Sequence, residues 1–179
     1  MKKIISSIFL LAFVCLSYGQ NLPINEKTNK VTFIEVVDAP GMKASELEKT
    51  VKDFMKEKPY TLKEETAGSE VVYAAYHKVS HPAKSGGFEE GKVNFTFSVF
   101  FKDDKYRIIL TDFVHEGDGK VPDGGELEEQ QAKCGPSKMT AKAWVTIKNR
   151  TNQLSEELIA ELEQKILEVQ NDPAKNDDW

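Results

Sequence analysis

Three histidines, a short acidic run and one cysteine are the side chains of this chain with the most obvious chemical potential. His77 and His81 stand four residues apart, a spacing that would join them as metal ligands on a helix. Their setting, EVVYAAYHKV followed by Ser80, His81 and Pro82, reads instead as a strand. Four strand residues span about 13 Å, so a shared zinc ion is not expected. His115 opens HEGDG (115–119), which begins like a zinc-protease helix, but Gly119 stands where the second histidine belongs. Surface or strand-end positions are expected for all three. Glu116, Asp118, Asp123 and Glu126 could offer hard oxygen ligands to calcium. Lys120, however, stands where an EF-hand loop needs Asp or Asn, and a solvated acidic loop is expected. Cys134, in AKCGPS, has no neighbour that would lower its pKa and reads as an ordinary loop or core cysteine. No nucleophile elbow, phosphate-binding glycine loop or paired-cysteine metal motif occurs. Hence no catalytic residue, metal or cofactor is expected. The Asn-x-Thr triplets at Asn94 and Asn149 fall in a strand and a helix and are read as chance matches.

The elements that would hold these side chains centre on residues 91–117, GKVNFTFSVFFKDDKYRIILTDFVHEG. Val93, Phe95, Phe97, Val99 and Phe101 alternate with Asn94, Thr96 and Ser98, the period of two of a half-buried strand. A two-residue turn at Asp103-Asp104 would pair Phe101 with Tyr106, Val99 with Ile108 and Phe97 with Leu110 on one face. At roughly 1.5–3 kcal/mol per buried large side chain, that face supplies much of the folding drive and needs a cover. In the same register the opposite face carries Asn94, Thr96, Ser98 and Phe100 on one strand. Phe113, Thr111, Ile109 and Arg107 lie respectively across from them. This mixed surface is the candidate binding face, with Arg107 beside Phe100 suited to a cation–π contact or to an anion.

Before the hairpin, a strand is expected at 31–37. A helix follows, with a capping box formed by Ser45 and Glu48 and an apolar stripe of Leu47, Val51, Phe54 and Met55, ending at Pro59. An extended piece at 60–65, a turn at Ala67-Gly68 and a strand at 70–79 come next, and Pro82, Gly86 and Gly87 make 81–91 a loop. After the hairpin, 116–125 is an acidic glycine-rich loop, and 126–133 forms a short helix or stays irregular. Trp144, Ile147, Thr151, Leu154, Leu158, Leu162, Ile166 and Val169 recur every three or four residues, the mark of one long final helix that Pro173 stops. Two amphipathic helices and several antiparallel strands give the α+β class.

Residues 1–19 read as a signal peptide: Lys2 and Lys3, then an apolar stretch at 4–16, then the small residues Ser17 and Gly19. The stretch is shorter than the roughly 18–20 residues of a membrane span, so no transmembrane segment is expected in the mature form. Residues 20–30 are expected to be an arm, 31–170 one domain and 171–179 a tail. Cleavage would remove two lysines and no acid, taking the net charge from −5 to −7 and leaving Cys134 as the one cysteine. That charge argues against nucleic acid as a partner. An exported protein, periplasmic or secreted, is expected.

The segments LPINEKTNKVTFIEVVDAPGMKASELEKTVKDF, the 91–117 hairpin and the Trp144-containing helix together resemble a family of secreted Gram-negative proteins. That family is a domain of unknown function with a fold similar to the TATA-box-binding protein (TBP-like). The resemblance spans nearly all of the mature chain. It implies one curved antiparallel sheet with both helices on the convex side and the concave side open, and it implies no catalytic residues. The function expected is a non-enzymatic module binding a protein or small-molecule ligand on the open face. An envelope hydrolase working near His115 and Glu116 is the alternative from the enzyme class. Nucleic-acid binding by analogy with the fold's namesake is opposed by export and charge.

Overall fold

The computed structural model describes residues 22–172. The expected signal peptide at 1–19 and the tail beyond Asp172 lie outside the described residues. In chain order the elements are β1 (Ile24–Asn25), β2 (Lys30–Val31), β3 (Phe33–Asp38), α1 (Ala44–Lys56), β4 (Thr61–Thr66), β5 (Glu70–Pro82), β6 (Phe88–Lys102), β7 (Lys105–Gly117), β8 (Gly125–Glu126) and α2 (Ala141–Gln170). One antiparallel sheet runs in the order β3-β7-β6-β5-β4, with β8 added to β7, and β1 and β2 form a separate hairpin.

Alternation along β6 dictates which side is dry. Val93, Phe95, Phe97, Val99 and Phe101 are all buried, and Phe101, Val99 and Phe97 pair with Tyr106, Ile108 and Leu110 across the Asp103-Asp104 turn as the spacing predicts. β5 adds Val71, Tyr73, Ala75 and Val79 to that face. The stripes of both helices close over it: Leu47, Val51, Phe54 and Met55 from α1, and Trp144, Ile147, Leu158, Leu162 and Ile166 from α2, in one continuous core. The helices therefore cover one face of the sheet and leave the other open, an α+β arrangement. α2 runs unbroken for 30 residues, started by Thr140, whose hydroxyl accepts from the Ala143 amide at 3.1 Å. Among the described residues no helix is long and apolar enough to cross a membrane.

Four local expectations are corrected. α1 starts at Ala44, so Ser45 lies inside it and no Ser45–Glu48 box forms. The Glu46 carboxylate accepts from the Lys43 amide at 3.0 Å, and Asp103, from the hairpin turn, accepts from the Ala44 amide at 2.9 Å. Glu48 is buried and accepts from the Gly68 amide at 2.5 Å. The loop expected at 81–91 shrinks to 83–87, because β5 and β6 stay paired out to Pro82 and Phe88. Gly86 and Gly87 turn the chain there with φ of +94° and +81°, and Pro82 is tolerated because β5 has no outer partner beyond Ala74 among the described residues. The arm expected at 20–30 folds, over its described part, into β1–β2, pinned where Glu128 accepts from the Val31 amide at 2.7 Å.

The fourth correction changes the candidate face. From Thr96↔Thr111 to Lys102↔Lys105 the pairing is the expected one, but Asn94 lies opposite Val114 instead of Phe113. A bulge with Asp112 at φ +59° inserts one residue into β7 and reverses the alternation beyond it. Without it, the Asp112 carboxylate would point into the core. With it, Asp112 pairs with Lys30 at the surface. Phe113 is fully buried, stacked on Phe95 with centroids 5.1 Å apart and edge-on to Phe33 at 5.6 Å.

Candidate binding face

The open face is built from the residues of each strand that alternate with the buried set. Its rows follow from the register: Val36, Arg107, Phe100, Glu70 and Thr66 in one; Ile34, Ile109, Ser98, Val72 and Glu64 in the next; then Thr111, Thr96 and Ala74; then Val114, Asn94 and Tyr76. Seven of the eight candidate residues lie here. Phe113 is the exception, its place taken by Val114. Ile34 and Val36 were not anticipated. They are 50% and 59% exposed and extend the apolar area of Phe100 and Ile109 to the β3 edge. The alternation in VTFIEVVD hints at their side, but nothing local says that β3 lies beside β7.

At the hairpin end the face becomes basic. The Arg107 guanidinium lies 4.6 Å from the centroid of Phe100. Lys102 and Lys105 join them around a hollow of about 290 Å³ that also touches Val36 and Ser69. None of these three cations forms an ion pair among the described residues. The acids of the turn are engaged elsewhere: Asp103 on the Ala44 amide and Asp104 on the Gly41 amide at 2.7 Å. At the other end a second hollow of about 670 Å³ lies among Tyr76, Lys78, Lys92, Asp118 and Arg150.

None of the three histidines is at the surface: all are buried on the helix-covered side, His81 and His115 near the ends of β5 and β7 and His77 within β5. His77 meets the Ser155 hydroxyl at 3.1 Å and packs on Phe95 at 4.5 Å. His115 Nδ1 accepts from the Gly124 amide at 3.0 Å, so its proton is on Nε2. Its ring stands edge-on to Trp144 at 6.2 Å and to His81 at 5.9 Å. Burial holds His77 down to about 4, with Arg150 adding to the effect, and holds His115 down to about 4, with His81 adding. Glu116 faces the other way, paired with Lys92 at 3.0 Å. Hydrogen bonds from Lys92 and Asn94 keep its carboxyl below the usual range. His115 and Glu116 thus sit on opposite faces of one strand and do not converge on one reacting atom.

In the acidic loop, Asp118 accepts from the Lys120 and Val121 amides and Asp123 from the Gly117 amide, so two of the four candidate calcium ligands close the loop on itself. Among the described residues, no group of three or more His, Cys, Asp or Glu side chains comes together as a metal site.

No protein-family model matches the chain. No curated protein matches it either. Solved structures do. A DUF4468 family protein from Bacteroides ovatus superposes with a TM-score of 0.63 at 13% identity, over 81% of this chain and 90% of that one. A TBP-like protein from Parabacteroides distasonis superposes with a TM-score of 0.62 at 17% identity, over 82% of this chain and 97% of that one. An antiparallel sheet with two helices on one face, shared over four fifths of the chain with these structures, is the TBP-like fold.

Proposed function

We propose that this chain is an exported, non-enzymatic module that binds a partner protein or small ligand on the open face of its sheet. The observation that carries this reading is the corner where Phe100 lies under Arg107, with Lys102 and Lys105 alongside and Ile34 and Val36 exposed next to it. An apolar floor with cations at its margin that form no ion pair among the described residues suits a ligand that has an apolar body and an anionic group. In a chain with more acids than bases, such a corner is a local reversal of sign that selects the end at which an anion enters.

The test uses tagged mature protein recovered from the cell envelope, with what accompanies it identified and rebound in purified form. Phe100→Ala and Arg107→Ala are each expected to weaken binding about tenfold or more while circular dichroism and melting stay unchanged. Undiminished binding of the purified partner by both variants would clear this face of the role.

A further inference from the structure

The helix-covered side of the β3 edge holds a second arrangement. β3 ends the sheet, and its outer edge pairs with no strand among the described residues. Between that edge and α2 lie two adjoining hollows of about 640 and 270 Å³ that share Ala160 and Glu163, so they form one groove along the strand. Glu35 enters it from β3 and Glu163 from α2. Neither carboxylate forms an ion pair among the described residues. The groove floor holds Tyr106, which is 2% exposed and lines the smaller hollow, and whose buried hydroxyl has no hydrogen-bond partner among the described residues.

A buried hydroxyl without a partner carries a desolvation cost, and two carboxylates facing one groove repel. Burial raises the Glu163 carboxyl above its usual range, with the Glu35 charge adding, and both acids push the Tyr106 hydroxyl upward after burial itself. A cationic N–H donor, a lysine ammonium or an arginine guanidinium, between Glu35 and Glu163 removes that repulsion and lowers the field on the Tyr106 hydroxyl beneath. A free strand edge offers a row of backbone donors and acceptors to a further extended chain. Side chains on an added strand alternate, so those entering the groove would be basic and those beside Ile34 and Val36 apolar.

We infer that the groove between β3 and α2 docks an extended segment of a partner protein, in which lysine or arginine alternates with apolar residues, as an added strand on β3. The probe is a dye-labelled peptide of about seven residues alternating lysine and valine, long enough to span a strand, with its glutamate–valine counterpart as control. Fluorescence anisotropy with the full chain is expected to show the lysine peptide bound about tenfold tighter than the glutamate peptide, and weakened by salt. Glu35→Gln with Glu163→Gln is expected to remove that preference. Tyr106→Phe, which keeps the ring and the fold, is expected to weaken binding about threefold. N-methylation of alternate backbone amides of the peptide is expected to abolish binding. Equal binding of both peptides, full binding by the glutamine variant, or full binding of the N-methylated peptide would each overturn the proposal. So would free spermidine binding as tightly as the lysine peptide, which would mark a small-cation site instead.

Discussion

His77 and His115 show how a residue's chemistry is set by what encloses it. Each is ordinarily half-protonated near neutral pH, yet each is held neutral here by burial. The charged groups facing them offer little relief. Arg150 opposes a proton on His77. His81 opposes one on His115, while Asp123 and Glu116 favour it more weakly. Because the folded-state values lie below the unfolded one, the unfolded chain binds more protons between pH 6.5 and about 4. Stability is therefore whole above the unfolded value and falls as the pH drops through that window, by up to about 1.4 kcal/mol per pH unit for each histidine. Urea titrations at half-unit steps are expected to show a plateau above neutrality and a decline that begins before the carboxylates titrate. A flat profile from pH 7 to 5 would contradict the burial of both rings. None of this was legible in the sequence, where a histidine in an alternating strand can lie on either face.

β7 is the element whose register decides which side chains reach the open face. Its first half keeps the alternation of Tyr106, Ile108 and Leu110, and there the sequence and the structure agree. Beyond Asp112 the alternation reverses, because a one-residue bulge costs less than an unpaired carboxylate in the core. The consequence is measurable. Phe113→Ala should cost about 3–5 kcal/mol, as for a buried aromatic ring, whereas Ile109→Ala on the open face should cost much less. Denaturant unfolding of the two variants separates them, and equal losses would place Phe113 back on the open face.

At the scale of the molecule, distant segments complete one another. α1 is started by a turn far along the chain: Asp103 accepts from the Ala44 amide, and Asp104, at φ +65°, binds the Gly41 amide. Asp103→Ala should lower stability by about 0.5–2 kcal/mol, the worth of a helix cap, although residue 103 lies outside the helix. Asp104→Ala should cost more than Asp104→Asn, since Asn keeps both an acceptor and tolerance of the left-handed backbone. Thermal melts of the three variants check the order. By itself the sequence determined the α+β class, the hairpin and its turn, the buried face of β6 and the apolar stripes of α1 and α2, because each is a periodicity written within a dozen or so residues. Only the tertiary structure decided that β3 lies beside β7, that Asp112 bulges outward to Lys30, that His81 meets His115, and that Glu35, Glu163 and Tyr106 share a groove. Those outcomes rest on the energies of groups far apart in the chain, a carboxylate seeking a cation or an unfilled hydroxyl, and no local pattern records them.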